Sequence, residues 1–117
     1  MKVIIAGSRS LLGIDLVEDA VKASGFTITE VVSGKCPKGI DVSGEDWAFI
    51  NGIPVKPFPA DWNKHGRYRA GSIRNHEMGD YAEALIAIWD GRSSGTADMI
   101  DYAKRKGLKV YVKEIKE

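Results

Sequence analysis

The sequence predicts an α/β fold: a three-layer sandwich with a central, mostly parallel five-stranded sheet and helices on both faces. Three observations predict it. Strand-like and helix-like segments alternate along the whole chain, the order that builds parallel βαβ units. Two runs, Val3-Ile4-Ile5-Ala6 and Ala84-Leu85-Ile86-Ala87-Ile88-Trp89, are continuously apolar, as strands buried on both faces are. Glycines such as Gly25, Gly52 and Gly107 close the helix-like stretches, where a left-handed residue stops a helix.

The elements follow in order. Residues 2–6 read as strand one. Residues 11–24 read as helix one, with Leu12, Leu16, Ala20 and Ala23 near helical spacing. Residues 27–33 are rich in β-branched side chains and read as strand two. Residues 41–51 read as helix two, with Asp41 as its N-cap. Residues 53–58 form strand three, and Pro54 and Pro57 place it at a sheet edge. A polar and aromatic loop, 59–71, leads to helix three over 72–83. Strand four covers 84–90, helix four 96–106 and strand five 108–112. Strands one and four, the most continuously apolar, belong at the centre.

Composition bounds the class. A chain of 117 residues fits one domain, which by size scaling buries roughly two-thirds of its unfolded surface. Seventeen basic residues against sixteen acidic ones leave a net charge of +1, which gives no global argument for nucleic-acid binding. The single Cys36 excludes an intrachain disulfide and a Cys-rich zinc site. His65 and His76 lack ligand partners at useful spacing, so no metal site is expected. No stretch approaches ~20 apolar residues and the N-terminus lacks a signal-peptide pattern, so a cytoplasmic protein without a membrane span is expected.

In an open parallel sheet, ligands bind beyond the carboxyl ends of the strands, at the switch point of strand order. Four segments reach that rim. Asp90-Gly91-Arg92-Ser93-Ser94-Gly95-Thr96 carries strand four into helix four; there, open backbone N–H groups and the helix dipole favour an anion, often a phosphate. Gly7, Ser8 and Arg9 follow strand one, where glycine admits close approach, serine offers a hydroxyl and arginine pairs with phosphate. Ser33, Gly34 and Gly39 shape the loop after strand two, which offers a second phosphate or ribose contact. In the long loop, a base could stack on Trp62 or Tyr68, with Arg67 and Arg69 screening phosphate, or the Trp could pack down as an anchor. Arg74, Met78, Tyr81 and Ala82 share one helical stripe, so the Arg74 guanidinium is not a free surface charge. It either reaches the rim to hold a phosphate or forms a structural ion pair, for example with Asp90; Asn75 beside it either bonds a ribose or base or caps locally. The chain lacks a G-x-G-x-x-G fingerprint and a Walker lysine pattern, which disfavours classical NAD binding and ATP hydrolysis. The run Lys104-Arg105-Lys106 complements the dipole of helix four on a solvated face.

Taken together, Lys2 to Arg9, Ser33-Gly34 with Gly39-Ile40-Asp41, Glu45, Trp47 and Ala48, Phe58-Pro59-Ala60-Asp61-Trp62, Ile73-Arg74-Asn75 with Met78, and Trp89-Asp90-Gly91 with Gly95-Thr96 resemble the YspA-like, YpsA-related branch of the SLOG superfamily. Its small domains are common in phages. The resemblance implies a Rossmann-like fold, a nucleotide-derived ligand and a homo-oligomer. Lonely-guy phosphoribohydrolases, relatives in that superfamily, use an Arg from an R-K-x-x-M helix and a Glu from a P-G-G-x-G-T-x-x-E motif. Arg74 and Met78 match the first motif with Asn75 in place of its Lys, and Gly95-Thr96 matches the core of the second. The position of the catalytic Glu is Met99, with Asp98 one residue earlier. The candidate catalytic pair is therefore Arg74 and Asp98, and one residue of helix rotates Asp98 by about 100° from the expected direction.

The expected ligand contacts are thus Gly7, Ser8, Arg9, Ser33, Gly34, Gly39, Asp41, Trp62, Arg74, Asn75, Asp90, Gly91, Ser94, Gly95 and Thr96. The leading expectation is a module that senses or sequesters a nucleotide derivative, such as an ADP-ribose-type signal or a nucleotide sugar, with no cofactor. The alternatives are an N-glycosidase acting on a nucleoside 5′-monophosphate, its carboxylate drawn from Asp98, Asp90 or Glu77, and a DprA-like binder of single-stranded nucleic acid, which the near-neutral charge disfavours.

Overall fold

A computed structural model describes residues 1–66 and 69–116. The strands are β1 (Lys2–Gly7), β2 (Glu30–Ser33), β3 (Val55–Pro57), β4 (Ala84–Trp89) and β5 (Lys109–Glu114). The helices are α1 (Ile14–Ser24), α2 (Ile40–Ile50), α3 (Trp62–His65), α4 (Ala70–Tyr81) and α5 (Ser94–Arg105). All four strand pairings are parallel, in the order β3-β2-β1-β4-β5. The chain winds outward from β1 through β2 to β3, then returns to the other side of β1 as β4. That reversal makes the crevice between the carboxyl ends of β1 and β4 the switch point.

Alternation along the central strands builds the two outer layers. Val3 and Ile5 of β1, with Ile86 and Ile88 of β4, pack with Val17 and Ala20 of α1 and Trp47 and Ala48 of α2. Ile4 and Ala6, with Leu85 and Ala87, point the opposite way, onto Met78 of α4 and Met99, Ile100 and Ala103 of α5. Strands one and four are central, as their continuous apolar runs predict, and β3 is an edge.

Two element starts differ from the sequence reading by three residues and the long loop holds an unforeseen helical turn, while the other element ends shift by at most two residues. Helix α1 begins at Ile14 because Gly13 takes φ 143° and gives its N–H to the Ser43 hydroxyl at 2.9 Å. Leu12 is consequently 69% exposed, and the buried face of α1 is Val17 and Ala20 rather than Leu12 and Ala23. Strand β2 begins at Glu30, since residues 27–29 bind the chain start: the N-terminal ammonium donates to the Thr27 carbonyl, and Thr29 N–H donates to the Met1 carbonyl. The long loop contains a helical turn, α3, whose first N–H groups are capped by the Asp61 carboxylate accepting from Lys64 N–H at 3.0 Å. Among the described residues, no helix is long and apolar enough to cross a membrane.

Candidate functional site

The floor of the site is the end of β1. A Cβ on Gly7 would collide with the Ile88 carbonyl and the Ile40 side chain, so only glycine lets β1, β4 and the start of α2 converge there. Ser8 follows, buried and fully engaged. Its N–H donates to the Ile88 carbonyl at 3.1 Å, its carbonyl accepts from Leu11 and Ile40, and its hydroxyl accepts from Asp90 N–H at 3.0 Å. Ser8 therefore pins the rim together.

The loop after β4 is organised by its own side chains. Asp90 accepts from the N–H groups of Arg92 at 2.8 Å and Ser93 at 2.9 Å, and from the Ser10 hydroxyl at 3.3 Å. These donors, the Ser93 N–H foremost, hold the Asp90 carboxyl below its ordinary range. Ser93 caps α5 by accepting from Thr96 N–H, and the buried Thr96 hydroxyl joins it at 3.2 Å. Ser94 and Gly95, the first two residues of α5, line the cavity without an N–H partner among the described residues. The positive end of a helix twelve residues long thus opens onto the site.

Helix α4 supplies the facing wall. Arg74 donates through Nη1 to the Gly34 carbonyl at 2.5 Å and through Nε to Asn75 Oδ1 at 3.1 Å. Both acceptors are neutral, and Arg74 has no ion pair among the described residues; the Asp90 pairing does not form. Asn75 is buried and divides its two amide hydrogens between the Gly95 carbonyl and Asp98 Oδ2, each at 3.1 Å. It neither caps α4 nor leaves a donor free; it ties α4 to the start of α5 and fixes the Asp98 carboxylate. His76, stacked on Tyr102, stands 3.9 Å from the other Asp98 oxygen. Met99, at the position where the resemblance places a Glu, is 1% exposed and packs in the core beneath the cavity.

The loop after β2 uses different means. Lys35 sits in the left-handed region at φ 59° and Gly39 at φ 82°. A Cβ on Gly39 would lie 2.5 Å from Arg9 Cα and 2.7 Å from the Ser8 carbonyl oxygen, so this glycine lets the two rim loops touch. Gly39, not Asp41, is the N-cap of α2, and no side chain caps that helix. Asp41 instead lies one residue inside the helix, buried, and accepts from Cys36 N–H at 3.1 Å. Burial pushes its carboxyl above the ordinary range, opposed by the Cys36 N–H and by Arg74, reinforced by Glu45 and opposed again by Arg9. Ser33 turns away and donates to Glu45 at 2.5 Å, which Lys35 also reaches at 2.8 Å.

A cavity of about 720 Å³ results, within the range of about 300–1,000 Å³ usual for small-molecule sites. Gly7, Arg9, Asp41, Trp62, Arg74, Asn75, Asp90, Ser94, Gly95, Thr96 and Asp98 line it. Ser8, Ser33, Gly39 and Gly91 lie outside its wall; Gly34 lines an adjoining smaller cavity. Glu77 is exposed and outside both. The proposed contributions of Arg67 and Tyr68 fall outside the described residues. Sequence reasoning missed Ser10, Cys36, Ser72 and Ser93 as lining residues. For Ser93 the signal was present, since a Ser three residues before Thr96 at a helix start is an N-cap pattern. Among the described residues, no group of three or more His, Cys, Asp or Glu side chains is placed to hold a metal ion.

The architecture and the cleft at the switch point define a Rossmann-like α/β domain. Its fold is shared by DNA processing protein A (DprA) of Streptococcus pneumoniae, with TM-score 0.76 and 20% identity over 95% of this chain and 49% of that one. The family model described as YspA, cpYpsA-related SLOG matches residues 1–65, and the chain belongs to that family. The SPbeta prophage-derived protein YoqJ of Bacillus subtilis is 32% identical over 62 residues, which are 51% of this chain and 36% of that protein. The matched stretches therefore cover half or less of each of these two relatives.

Proposed function

We propose that this domain binds a nucleotide-derived ligand, such as an ADP-ribose-type signal or a nucleotide sugar, and senses or sequesters it. The observation that carries the reading is the convergence of the open N-terminus of α5 and the Arg74 guanidinium on one cavity at the switch point. Phosphate oxygens suit both groups: backbone N–H donors aligned with the helix dipole, and a guanidinium held in place by neutral acceptors. Binding without turnover fits the burial of Met99, which puts an apolar side chain where the related hydrolases place a Glu. Calorimetric titration with ADP-ribose, cyclic ADP-ribose, NAD and nucleoside 5′-monophosphates tests it. Saturable binding of at least one is expected, and silence from all of them at millimolar concentration would overturn it.

Hydrolysis of an N-glycosidic bond is the second reading, favoured by one observation. Asp98 lines the cavity, and Asn75 holds its carboxylate in place, as a group that stabilises an oxocarbenium-like transition state must be held. Release of free base from a nucleoside monophosphate, abolished by Asp98→Asn, is its signature. Its absence leaves the binding reading standing alone.

A further inference from the structure

The main cavity adjoins a smaller one of about 150 Å³, roughly a fifth of its size. Arg9, Cys36, Trp62 and Arg74 line both, so the two are compartments of one groove. Their charges differ. The main compartment sets Asp41, Asp90 and Asp98 against the two guanidiniums. The side compartment has no carboxylate among its described lining residues, and Lys35 joins the guanidiniums there. Lys35 is paired with Glu45, whereas the guanidiniums lie within electrostatic reach of Asp41 but form no ion pair among the described residues. Arg74 donates to two neutral oxygens, and Arg9 has no ion pair among the described residues.

Two cations at a waist, with carboxylates in the described lining on one side only, polarise the groove. Hydroxyl and amino groups, which donate hydrogen bonds, suit the carboxylate-lined compartment. An anion suits the other, whose described lining holds no carboxylate and where the guanidiniums gain a charged acceptor. The side compartment falls below the ~300 Å³ at which small-molecule sites begin, so it takes a compact group rather than a second nucleoside. The close approach that Gly39 permits holds the Arg9 backbone against the β2 loop and so keeps this waist assembled.

We infer that the side compartment is an anion subsite, so that the preferred ligand carries a second phosphate beyond the one in the main cavity, as nucleoside diphosphates and their esters do. The inference rests on the nucleotide-binding reading above. Ala60 lines the side compartment alone and is not part of the main cavity. Titrating wild type, Ala60→Glu and Ala60→Gln with AMP and ADP tests the assignment. ADP is expected to bind wild type at least tenfold more tightly than AMP. Ala60→Glu should remove most of that preference while leaving AMP affinity within twofold, and Ala60→Gln, equal in bulk but uncharged, should retain most of it. Equal affinities for AMP and ADP in wild type, or an ADP preference untouched by Ala60→Glu, would overturn the subsite and leave the main-cavity reading intact. Failure of both nucleotides to bind would overturn the subsite, and would overturn the main-cavity reading with it only if ADP-ribose, cyclic ADP-ribose and NAD were silent too.

Discussion

The loops that follow β4 and β2 meet at one rim and each opens a helix, yet those helix starts are built by opposite means. The β4 loop is held by side chains: Asp90, Ser93 and Thr96 satisfy its backbone and one another. In the β2 loop Ser33 and Asp41 accept from the N–H groups of Lys35 and Cys36, but backbone shape sets the helix start. Lys35 and Gly39 adopt positive φ, α2 starts without a side-chain cap, and Gly39 lies against the backbone of Ser8 and Arg9. Beside each loop a carboxylate lines the same cavity, and the two have pKa values shifted in opposite directions. Asp90 gathers backbone donors and is held low; Asp41 is buried and is pushed up. The difference teaches that a ligand rim needs only that its backbone be fixed. At the helix start, a capping side chain does this in one loop and a glycine contact does it in the other.

Substitutions can break each half by its own mechanism. The largest effect is expected from Gly39→Ala. It places a Cβ 2.5 Å from Arg9 Cα and at φ 82°, ψ −149°, a region nearly confined to glycine. Strain and overlap together should lower stability by about 2–4 kcal/mol, read as a shifted midpoint in urea unfolding. A loss under about 1 kcal/mol would mean that the two loops need not touch. Ser93→Ala attacks the other loop through its cap, and the expected loss is about 1 kcal/mol. If both substitutions proved equally costly, the contrast between the loops would fail.

Gly95→Ala is smaller and of opposite sign. Apart from its chain neighbours and its own helix backbone, no atom of the described residues lies within 4 Å of the added Cβ, and alanine favours a helix, so a gain of up to about 0.5–1 kcal/mol is expected. The methyl group would sit on the cavity wall beside the open N–H groups of α5. Weaker nucleotide binding in a more stable protein would locate the phosphate there; undiminished binding would move it elsewhere.

The last comparison is read as a sign. Asp90, held low, contributes stability that is present above its unfolded value near 3.8 and lost as pH falls through its lower folded value. Asp90→Asn should therefore be less stable than wild type at pH 7, with the gap closing at the acid end. Asp41, pushed up, contributes fully below 3.8, and that contribution is lost as pH rises through its raised folded value. Asp41→Asn, whose amide oxygen can still accept from Cys36 N–H, should be more stable than wild type at pH 7, the gain vanishing below about pH 4. Unfolding curves between pH 3 and 7 that moved the two variants in the same direction would refute the contrast.

Much of the frame was legible in the sequence because its signals are local. Continuous apolar runs marked β1 and β4 as central, and Pro54 and Pro57 marked β3 as an edge. The capping role assigned to Asp41 was not borne out, since the Asp-for-N-cap rule competes with a glycine that reaches a backbone conformation no aspartate takes easily. The short helix α3 escaped notice because a single turn has too few residues to show a period, although Asp61 three residues before Lys64 carried its cap. Cys36 reached the cavity wall through the fold of the β2 loop, and a lone cysteine has no pattern to announce it.

The sequence by itself determined the alternating elements, the central place of β1 and β4, and the small and hydroxyl-bearing residues at strand ends. These follow from periodicity and from backbone preferences of single residues, which neighbours along the chain suffice to express. Only the tertiary structure decided which side chains of the rim remain open to a ligand. Ser8, Ser33 and Asn75 look like ligand contacts in the chain, yet Asp90, Glu45, Gly95 and Asp98 claim their hydrogen bonds. Arg74 reaches across 40 positions of sequence to the Gly34 carbonyl, and Gly39 brings Arg9 to the waist of the groove. Such partners are set by through-space geometry, and a polar group's role at a site depends on which partner reaches it first.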